Sequence, residues 1–262
     1  MIKQRTALAG QTWNADAYAA NGRFVANLAS GVVQLLNPQP GEEILDLGCG
    51  DGALTEQLAA TGAIVLGVDA SPTMLAAARR RNLHVEHHDA TALPYHQQFD
   101  AVFSNAALHW ITGLSGQQAV LAGVHRALRP GPNARFVAEM GGHGNIAAIR
   151  TALQATLAPF GIDAEAAAAS FFPSSATYSR LLEQAGFEVQ SIDLIPRPTP
   201  LPNGMESWLN TFRNGVLDQL SPTDRASALT RTLALLAPVL RDDDGNWTAD
   251  YVRLRFHATP KK

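Results

Sequence analysis

The predicted fold of this chain depends on one stretch, Glu43-Ile44-Leu45-Asp46-Leu47-Gly48-Cys49-Gly50-Asp51-Gly52. Its first half is a short apolar run of the kind that forms a buried strand, and three alternating glycines follow directly. Glycine allows a sharp backbone turn and lets a ligand approach the main chain closely. The spacing after the glycines predicts a helix over 53–60, whose free N–H groups and dipole would point at such a ligand. The stretch therefore predicts a strand, a ligand-binding loop and a helix in succession.

Strand and helix patterns alternate along the rest of the chain. Apolar or alternating runs predict further strands at 63–68, 83–88, 99–104, 134–140, 187–195 and 251–257. Apolar residues at helical spacing predict a helix that begins at Pro72 and others at 14–36, 117–128, 146–157, 178–185, 205–212 and 224–240. Such alternation predicts an α/β fold, a doubly wound and mostly parallel sheet with helices on both faces. Four prolines predict a stiff connector after the sixth strand, at Pro196, Pro198, Pro200 and Pro202.

The composition excludes several classes of protein. Hydrophobic residues make up 46% of the 262 residues, so the chain has enough apolar surface to offset its ordering entropy and is not disordered. A net charge of −3 argues against a nucleic-acid partner, because phosphate neutralisation needs a clustered basic face. The single cysteine excludes an intrachain disulfide. No apolar run is long enough to span a bilayer, and no ordinary signal peptide is present, so we expect a cytoplasmic protein without a membrane partner.

Three aspartates stand at the ends of three successive predicted strands. Asp46 precedes the glycine loop, Asp69 ends the next strand, and Asp89 follows the third. An acidic group about 20 residues beyond such a loop accepts hydrogen bonds from ribose hydroxyls in nucleotide-binding folds. The glycines are spaced Gly-x-Gly-x-Gly rather than the Gly-x-Gly-x-x-Gly of dinucleotide sites. This spacing favours a nucleoside that carries no pyrophosphate.

Three motifs resemble those of the Rossmann-like (class I) S-adenosylmethionine-dependent methyltransferases that act on small molecules, especially the trans-aconitate methyltransferase-like group. The motifs are the 43–52 stretch, Val68-Asp69-Ala70-Ser71-Pro72-Thr73-Met74, and Phe103-Ser104-Asn105-Ala106-Ala107-Leu108-His109-Trp110. The resemblance implies a seven-stranded sheet whose last strand is antiparallel and lies next to the sixth. It also implies a single methyltransferase domain over 1–262, with an N-terminal helical extension at 1–40, a core at 41–196 and 246–262, and an inserted helical cap at 197–245.

The resemblance also implies a cofactor, S-adenosylmethionine, and the residues that bind it. The methionine part of the cofactor would lie against the glycine loop, the ribose would bond an aspartate, and the adenine would lie beyond it. The sulfonium would lie near the end of the fourth strand. In that order, the implied residues are Asp46, Gly48, Cys49 and Gly50; Asp69; Ala70, Met74, Asp89 and Ala90; and Asn105 and Ala106.

A small-molecule methyl acceptor would approach the end of the fourth strand. His109 either begins a helix there or orients or deprotonates the acceptor, and His143 is a second candidate for the base. Trp13 and Tyr18 either cover the cofactor or only hold the N-terminal helix. The residues predicted to bind the acceptor are Trp13, Tyr18, His109, Trp110 and Glu139.

Two features that could carry other chemistry have simpler interpretations. Cys49 is predicted to be a small residue of a tight loop, because the sequence places no base beside it to activate a nucleophile. His84, His87 and His88 fall on different faces of a predicted strand, and no acidic or cysteine ligands accompany them. The sequence therefore predicts no metal site.

The sequence thus predicts an enzyme that transfers the methyl group of S-adenosylmethionine to a small organic acceptor by in-line displacement. The trans-aconitate resemblance points to a carboxylate, and hence to O-methylation. Two alternatives stay open. One is a non-catalytic protein that binds the nucleoside, and the other is a nicotinamide-dependent oxidoreductase on the same type of sheet, which the glycine spacing disfavours.

Overall fold

Seven strands form one sheet in the computed structural model, which describes residues 29–261. The strands are β1 (Glu43–Leu47), β2 (Ile64–Asp69), β3 (Val85–His87), β4 (Ala101–Asn105), β5 (Arg135–Gly141), β6 (Phe187–Leu201) and β7 (Trp247–Pro260). Their order across the sheet is β3-β2-β1-β4-β5-β7-β6. β7 is antiparallel and the other strands are parallel. The predicted seven-stranded sheet, with an antiparallel last strand beside the sixth, is confirmed.

The central strands are apolar on both faces because both faces are covered. Leu45 of β1 packs in one buried cluster with Val102 of β4. Its neighbour Ile44 packs in a second cluster with Phe103. Successive residues of a strand point to opposite faces, so two separate clusters mean two packed layers. The doubly wound architecture is confirmed.

The strand order reverses between β1 and β4, and this reversal locates the site. The chain runs from β1 outward to β2 and β3, and then returns to β4 and β5 on the other side. Parallel sheets of this kind bind ligands outside the carboxyl ends of the strands at the reversal point. The glycine loop after β1 and the segment after β4 both lie at this edge.

Helices connect the strands, and those predicted after residue 40 lie close to their predicted positions, whereas residues 14–28 of the first predicted helix lie outside the described residues. They are α1 (Ser30–Leu36), α2 (Ala53–Ala59), α3 (Pro72–Arg80), α4 (Gly113–Ala127), α5 (Ala147–Leu157), α6 (Ala164–Ala168), α7 (Ser175–Gln184), α8 (Gly204–Phe212), α9 (Asn214–Leu217) and α10 (Pro222–Leu240). Short 3₁₀ turns occur at Ala90–Ala92, Leu108–Trp110 and Ala158–Phe160. The hydroxyl of Ser71 accepts the Met74 N–H at 3.4 Å and Pro72 takes the first helical position, so the predicted start of α3 is confirmed.

The prediction of a stiff proline connector after residue 195 was wrong. β6 continues through Pro196, Pro198 and Pro200 and ends at Leu201. Proline removes an N–H from the hydrogen-bonded ladder, which a central strand does not tolerate. β6 is at the edge of the sheet, where one side of the strand has no partner strand and the missing N–H groups cost little. The same prolines protect that edge from pairing with another chain.

The described chain divides into two compact units. The sheet unit comprises residues 29–145, 171–196 and 252–261, and the helical unit comprises 146–170 and 197–251. The predicted cap at 197–245 falls within the helical unit, but that unit also contains 146–170, which the sequence had assigned to the core. The assignment of the whole chain to a single domain stays a prediction.

The helical unit has its own buried aromatic centre. Trp208 and Phe212 of α8 pack with ring centroids 5.3 Å apart. The Trp208 indole N–H donates to the hydroxyl of Tyr251 at 2.7 Å.

Among residues 29–261, no helix combines the length and the apolar character needed to cross a membrane.

Candidate functional site

The glycine loop after β1 has a backbone that other residues would strain. Gly48, Gly50 and Gly52 have φ values of +77°, +58° and +80°, which favour glycine. A Cβ on Gly48 would lie 2.2 Å from the Cβ of Ala107, which follows β4. The N–H groups of Gly48 and Cys49 both donate to the carbonyl of Val68, at 2.7 and 3.0 Å. The loop is therefore tied to β2 and pressed against the segment after β4.

Asp69, the last residue of β2, also holds the loop, through its side chain. Its carboxylate accepts the N–H of Gly50 at 2.9 Å and the N–H of Ser71 at 2.8 Å. Burial raises the pKa of Asp69, and these two hydrogen bonds oppose the rise because they stabilise the charged form. The carboxylate is thus fixed between the glycine loop and the start of α3, where the sequence placed a ribose-binding group.

Asp46 lies beneath the loop as a second buried carboxyl group. It is 2% exposed, and the hydroxyl of Thr55 in α2 donates to it at 2.6 Å. Burial, with a smaller contribution from the nearby charge of Asp69, raises the pKa of Asp46 to about 7, against the Thr55 hydrogen bond, which lowers it. Two carboxyl groups that repel each other favour a cation between or beside them. The site therefore suits a positively charged ligand.

The glycine loop and its carboxyl groups fit a nucleoside attached to a cationic amino acid. The bare glycine backbone allows close approach, and Asp69 can accept hydrogen bonds from ribose hydroxyls. An ionised Asp46 would supply negative charge for an ammonium or sulfonium group. Met74 is buried and its methyl group lies 3.3 Å from the position of a Cβ on Gly50, so it packs behind the loop.

Cys49 is unsuited to act as a nucleophile. Its side chain is buried, and a Cβ on Gly67 of β2 would lie 2.9 Å from its sulfur. Burial and the charges of Asp46 and Asp69 raise the pKa of the thiol far above its usual range. The thiol stays protonated, as the sequence interpretation of a small loop residue requires.

Two of the predicted adenine residues, Asp89 and Ala90, lie beyond β3. Asp89 caps the 3₁₀ turn Ala90–Ala92, and one carboxylate oxygen accepts both the N–H and the hydroxyl of Thr91 at 2.8 Å. Asp89 is exposed and Ala90 is half-buried. The turn therefore has a fixed backbone at the same edge of the sheet as the glycine loop.

The end of β4 carries a strained residue. Ala106 has a φ of +57°, which an alanine rarely adopts, and its N–H donates to the carbonyl of Glu139 in β5 at 2.7 Å. Such strain is stored where surrounding structure enforces it, most often at functional sites. Asn105 and Ala106 are both half-buried, next to Ala107, which contacts the loop. The structure thus brings the predicted sulfonium residues beside the glycine loop.

His109 is buried in an aromatic setting after β4. It is 6% exposed, and its ring lies 5.0 Å from the ring of Trp110 and 5.7 Å from that of Phe172. The N–H of Gly141 donates to its Nδ1 at 3.2 Å. A nitrogen that accepts a hydrogen bond carries no proton, so the neutral imidazole bears its proton on Nε2. This tautomer makes Nε2 a donor rather than a base.

Glu139 is part of a buried ion pair. Its carboxylate, 2% exposed, accepts from Nε and Nη2 of Arg255 in β7 at 2.8 and 2.7 Å. A Cβ on Gly31 of α1 would lie 2.6 Å from the Arg255 guanidinium, so glycine there leaves room for the cation. Glu139 is therefore held by the charge of Arg255 before any acceptor arrives.

His143, predicted beside His109 as a second candidate for the base, has an exposed side chain in the turn after β5.

Two of the residues predicted to bind the acceptor, Trp13 and Tyr18, lie outside the described residues.

The candidate metal ligands are three histidines within 84–88. Within residues 29–261, no group of three or more His, Cys, Asp or Glu side chains is arranged to hold a metal ion. The side chains of His84, His87 and His88 form no such group. His87 bonds the carbonyl of Ala70, and His88 bonds Glu86.

Sequence reasoning missed Thr55 and Phe172, and it did not identify Arg255 as the partner of Glu139. Thr55 lies in the first turn of α2, and Arg255 is 116 residues from Glu139. Phe172 lies against His109 from the segment before α7. The threonine could have been noticed, since an aspartate buried in a strand needs a donor. The Phe172 contact and the Glu139–Arg255 pairing had no signal in the sequence, because only the folded sheet brings these residues to their partners.

The glycine loop, the paired carboxyl groups and the sheet reversal define a Rossmann-like, nucleoside-binding methyltransferase fold. A methyltransferase-domain family matches residues 44–131. An uncharacterized methyltransferase of Schizosaccharomyces pombe is 39% identical over 256 residues, which cover 94% of this chain and 97% of that protein. A trans-aconitate 2-methyltransferase of Deinococcus radiodurans is 38% identical over 125 residues, 46% of each chain.

The fold is also similar to solved structures. Phosphoethanolamine N-methyltransferase 2 of Haemonchus contortus, in complex with phosphomonomethylethanolamine and S-adenosylhomocysteine, has a TM-score of 0.56 at 19% identity. The match covers 90% of this chain and 53% of that one. The chain belongs to the methyltransferase family. The predicted enzyme class is confirmed, and S-adenosylmethionine is the cofactor of that class.

Proposed function

We propose that this enzyme methylates a small organic carboxylate, and that His109 donates a hydrogen bond to the acceptor. The observation that carries the proposal is the hydrogen bond from Gly141 to Nδ1 of His109, which leaves the proton on Nε2. A buried N–H donor suits an acceptor that arrives as an anion. A carboxylate is already a nucleophile, so its methylation needs no general base.

The cofactor contacts in this proposal follow the motifs. Asp69 would bind the ribose hydroxyls, and the carboxyl of Asp46 would face the positive charge of the methionine part. The loop of Gly48, Cys49 and Gly50 would approach that part through bare backbone. The remaining proposed contacts are Ala70, Met74, Asp89 and Ala90 for the adenine, and Asn105 and Ala106 for the surroundings of the sulfonium.

The residues of the site would act mainly by alignment. S-Adenosylmethionine, when bound, supplies a methyl group on a sulfonium that is already reactive. The protein then has to place the acceptor oxygen in line with that methyl, and good alignment can be equivalent to about 10⁵ M of reactant. Trp110 and Glu139 stay proposed acceptor contacts, with Glu139 acting through the ion pair it forms with Arg255. Exclusion of water from around His109 strengthens its hydrogen bond to an anion.

The relative from Deinococcus radiodurans, which carries the name of a trans-aconitate 2-methyltransferase, indicates which acceptors to test first. We expect S-adenosylhomocysteine to raise the melting temperature, since a ligand that binds only the folded state stabilises it, and NAD to have no effect. Methyl transfer from labelled S-adenosylmethionine is then measured with trans-aconitate and other small carboxylates, with their amides as matched controls. A melting shift with NAD alone would contradict the methyltransferase assignment. Cofactor binding without transfer to any carboxylate would favour the non-catalytic alternative or another acceptor class.

The donor role of His109 predicts how its variants behave. His109→Gln can keep an N–H near the position of Nε2, whereas His109→Phe fills the space without a donor. We expect His109→Phe to lower kcat/KM for the acceptor about 10- to 100-fold, the cost of one charge-assisted hydrogen bond, with cofactor affinity unchanged. His109→Gln should recover much of the loss. Equal activity of both variants and the wild type would mean that His109 only packs against Trp110 and Phe172.

The raised pKa of Asp46 predicts that cofactor binding depends on pH. Its pKa of about 7 means that the free site loses this negative charge as the pH falls from 8 to 6. The ionised form attracts the ammonium group of the amino-acid part, which S-adenosylhomocysteine carries, so we expect the affinity for this ligand, measured by calorimetry, to fall over that interval. Asp46→Asn removes the titrating group and should bind more weakly at pH 8 and vary less with pH. A wild-type profile that matches the Asn variant would mean that Asp46 does not face the ligand charge.

A further inference from the structure

The edge strand β3 contacts the backbone that leaves β2 through a histidine side chain. Across the two parallel strands, His87 lies in register with Asp69. Its Nε2 lies 3.0 Å from the carbonyl oxygen of Ala70. A carbonyl can only accept a hydrogen bond, so Nε2 carries the proton and donates. An exposed side chain of the outermost strand is thereby tied to residues 69–70.

The Asp69–Ala70 segment is held from several directions at once. The Asp69 side chain is fixed by the N–H groups of Gly50 and Ser71. Its own carbonyl accepts the N–H of His88 at 3.3 Å. These contacts hold the side chain and the carbonyl of Asp69, the first residue of the segment. The His87 hydrogen bond adds a tether on the next peptide, at Ala70, where the chain turns into α3.

We propose that His87 is a positioning residue of the cofactor site, which holds the Ala70 carbonyl and so orients the Asp69 carboxylate and the Ala70 backbone toward the nucleoside. The inference rests on the proposed function, in which Asp69 and Ala70 contact the ribose and the adenine. His87 acts through these two residues and contacts none of the reacting atoms. This role would give a function to His87, one of three histidines within 84–88 to which the sequence assigned none.

The proposal predicts a loss confined to the nucleoside half of the ligand. 5′-Methylthioadenosine contains that half and lacks the amino-acid carboxylate and ammonium, whereas S-adenosylhomocysteine contains both halves. If His87 positions the segment that meets the nucleoside, its loss should weaken both ligands by the same factor. Asp46→Asn is the contrast, because it should weaken S-adenosylhomocysteine and leave 5′-methylthioadenosine unchanged.

The test compares Asp46→Asn with three histidine variants of the full chain at pH 8, with the two dissociation constants measured by calorimetry and the melting temperature of each variant recorded. His87→Leu removes the donor, and His87→Gln keeps a side-chain N–H. His84→Leu is the matched control, because His84 is also exposed and lies just before the other end of β3. We expect His87→Leu to weaken both ligands about three- to tenfold, the range for one lost hydrogen bond. His87→Gln should stay within about twofold of the wild type, and His84→Leu should not differ from it.

Three results are distinguishable. Unchanged affinities in His87→Leu would overturn the proposal. A fall in melting temperature shared by the Leu and Gln variants, with no rescue of affinity by Gln, would also overturn it, because the histidine would then only support the strand. If the wild-type protein binds neither ligand, the proposed function itself fails, whatever the variants do.

Discussion

Gly48→Ala should unfold at markedly lower denaturant than the wild type and should fail to bind S-adenosylhomocysteine at concentrations that saturate the wild type. Two separate costs add at this position. A left-handed φ of +77° costs a residue with a Cβ about 1–2 kcal/mol. The added Cβ would lie 2.2 Å from the Cβ of Ala107, and such overpacking costs about 1–3 kcal/mol more. Because Ala107 follows β4, relief of the clash has to move the loop or the strand end.

Two other glycines provide matched controls that separate these costs. Gly41 has a φ of +82°, with no atom within 4 Å of an added Cβ, so Gly41→Ala carries the backbone cost alone. Gly131 has open space and no left-handed φ, so Gly131→Ala should be close to neutral. Urea unfolding gives the free energy of each variant, and calorimetry gives the ligand affinity. If Gly48→Ala loses no more stability than Gly41→Ala, the contact with Ala107 is not a constraint on the loop.

Arg255→Met should destabilise the protein by about 3 kcal/mol and weaken the support of the β4 end. Glu139 is 2% exposed, and removal of the cation that contacts it leaves a carboxylate in a poorly solvated place. Breaking a buried ion pair by deleting one partner costs about 3–5 kcal/mol. Arg255 is 21% exposed, which places the expected value at the lower end. The carbonyl of Glu139 also accepts the N–H of strained Ala106, so a shift of Glu139 reaches the proposed sulfonium surroundings.

The double variant Glu139→Gln/Arg255→Met shows whether the cost comes from the stranded charge. Removing both charges should recover most of the stability, because no ionised group then stays buried. Arg81→Met is the surface control, since Arg81 is 30% exposed and pairs with Glu56 at 2.9 Å and with Asp51 at 3.6 Å, and surface pairs contribute about 0–1 kcal/mol each. A double variant as unstable as Arg255→Met would contradict this account. If it is stable and still methylates the acceptor normally, Glu139 makes no essential acceptor contact.

The two sets of variants test different parts of the same edge of the sheet. The variant at Gly48 tests the shape of the glycine loop, and the variants of the Glu139–Arg255 pair test the backbone at the end of β4. His87 and Asp69 lie on β3 and β2, toward the β3 edge of the sheet, where the nucleoside is proposed to lie. A loss of nucleoside binding alone, of cofactor binding as a whole, or of acceptor turnover alone would therefore point to one of three different places.

The sequence was sufficient wherever a property is local. The glycines at 48, 50 and 52, the apolar run before them and the Ser71-Pro72 helix start all depend on residues a few positions apart, and each has the predicted structure. The prolines after residue 195 show the limit of local reasoning. Proline disfavours a central strand, and only the position of β6 at the sheet edge makes a strand through Pro196, Pro198 and Pro200 acceptable.

The chemical state of the site residues came from tertiary structure alone. The sequence predicted His109 near the acceptor but left a packing role, acceptor orientation and proton abstraction open, and the Gly141 N–H on Nδ1 favours a donor. It placed Glu139 at the end of β5 without its cation, because Arg255 arrives only when the last strand inserts antiparallel beside β5. It gave Asp46 no pKa, which depends on burial and on Thr55.

The sequence by itself thus determined the fold class, the glycine loop and the family, because backbone freedom, apolar periodicity and motif spacing are properties of neighbouring residues. Only the tertiary structure decided which nitrogen of His109 bears the proton, which carboxyl groups are buried and which side chains support them. Those properties depend on solvent exclusion and on hydrogen-bond partners up to 116 residues away in the chain. No spacing rule in the sequence carries that information.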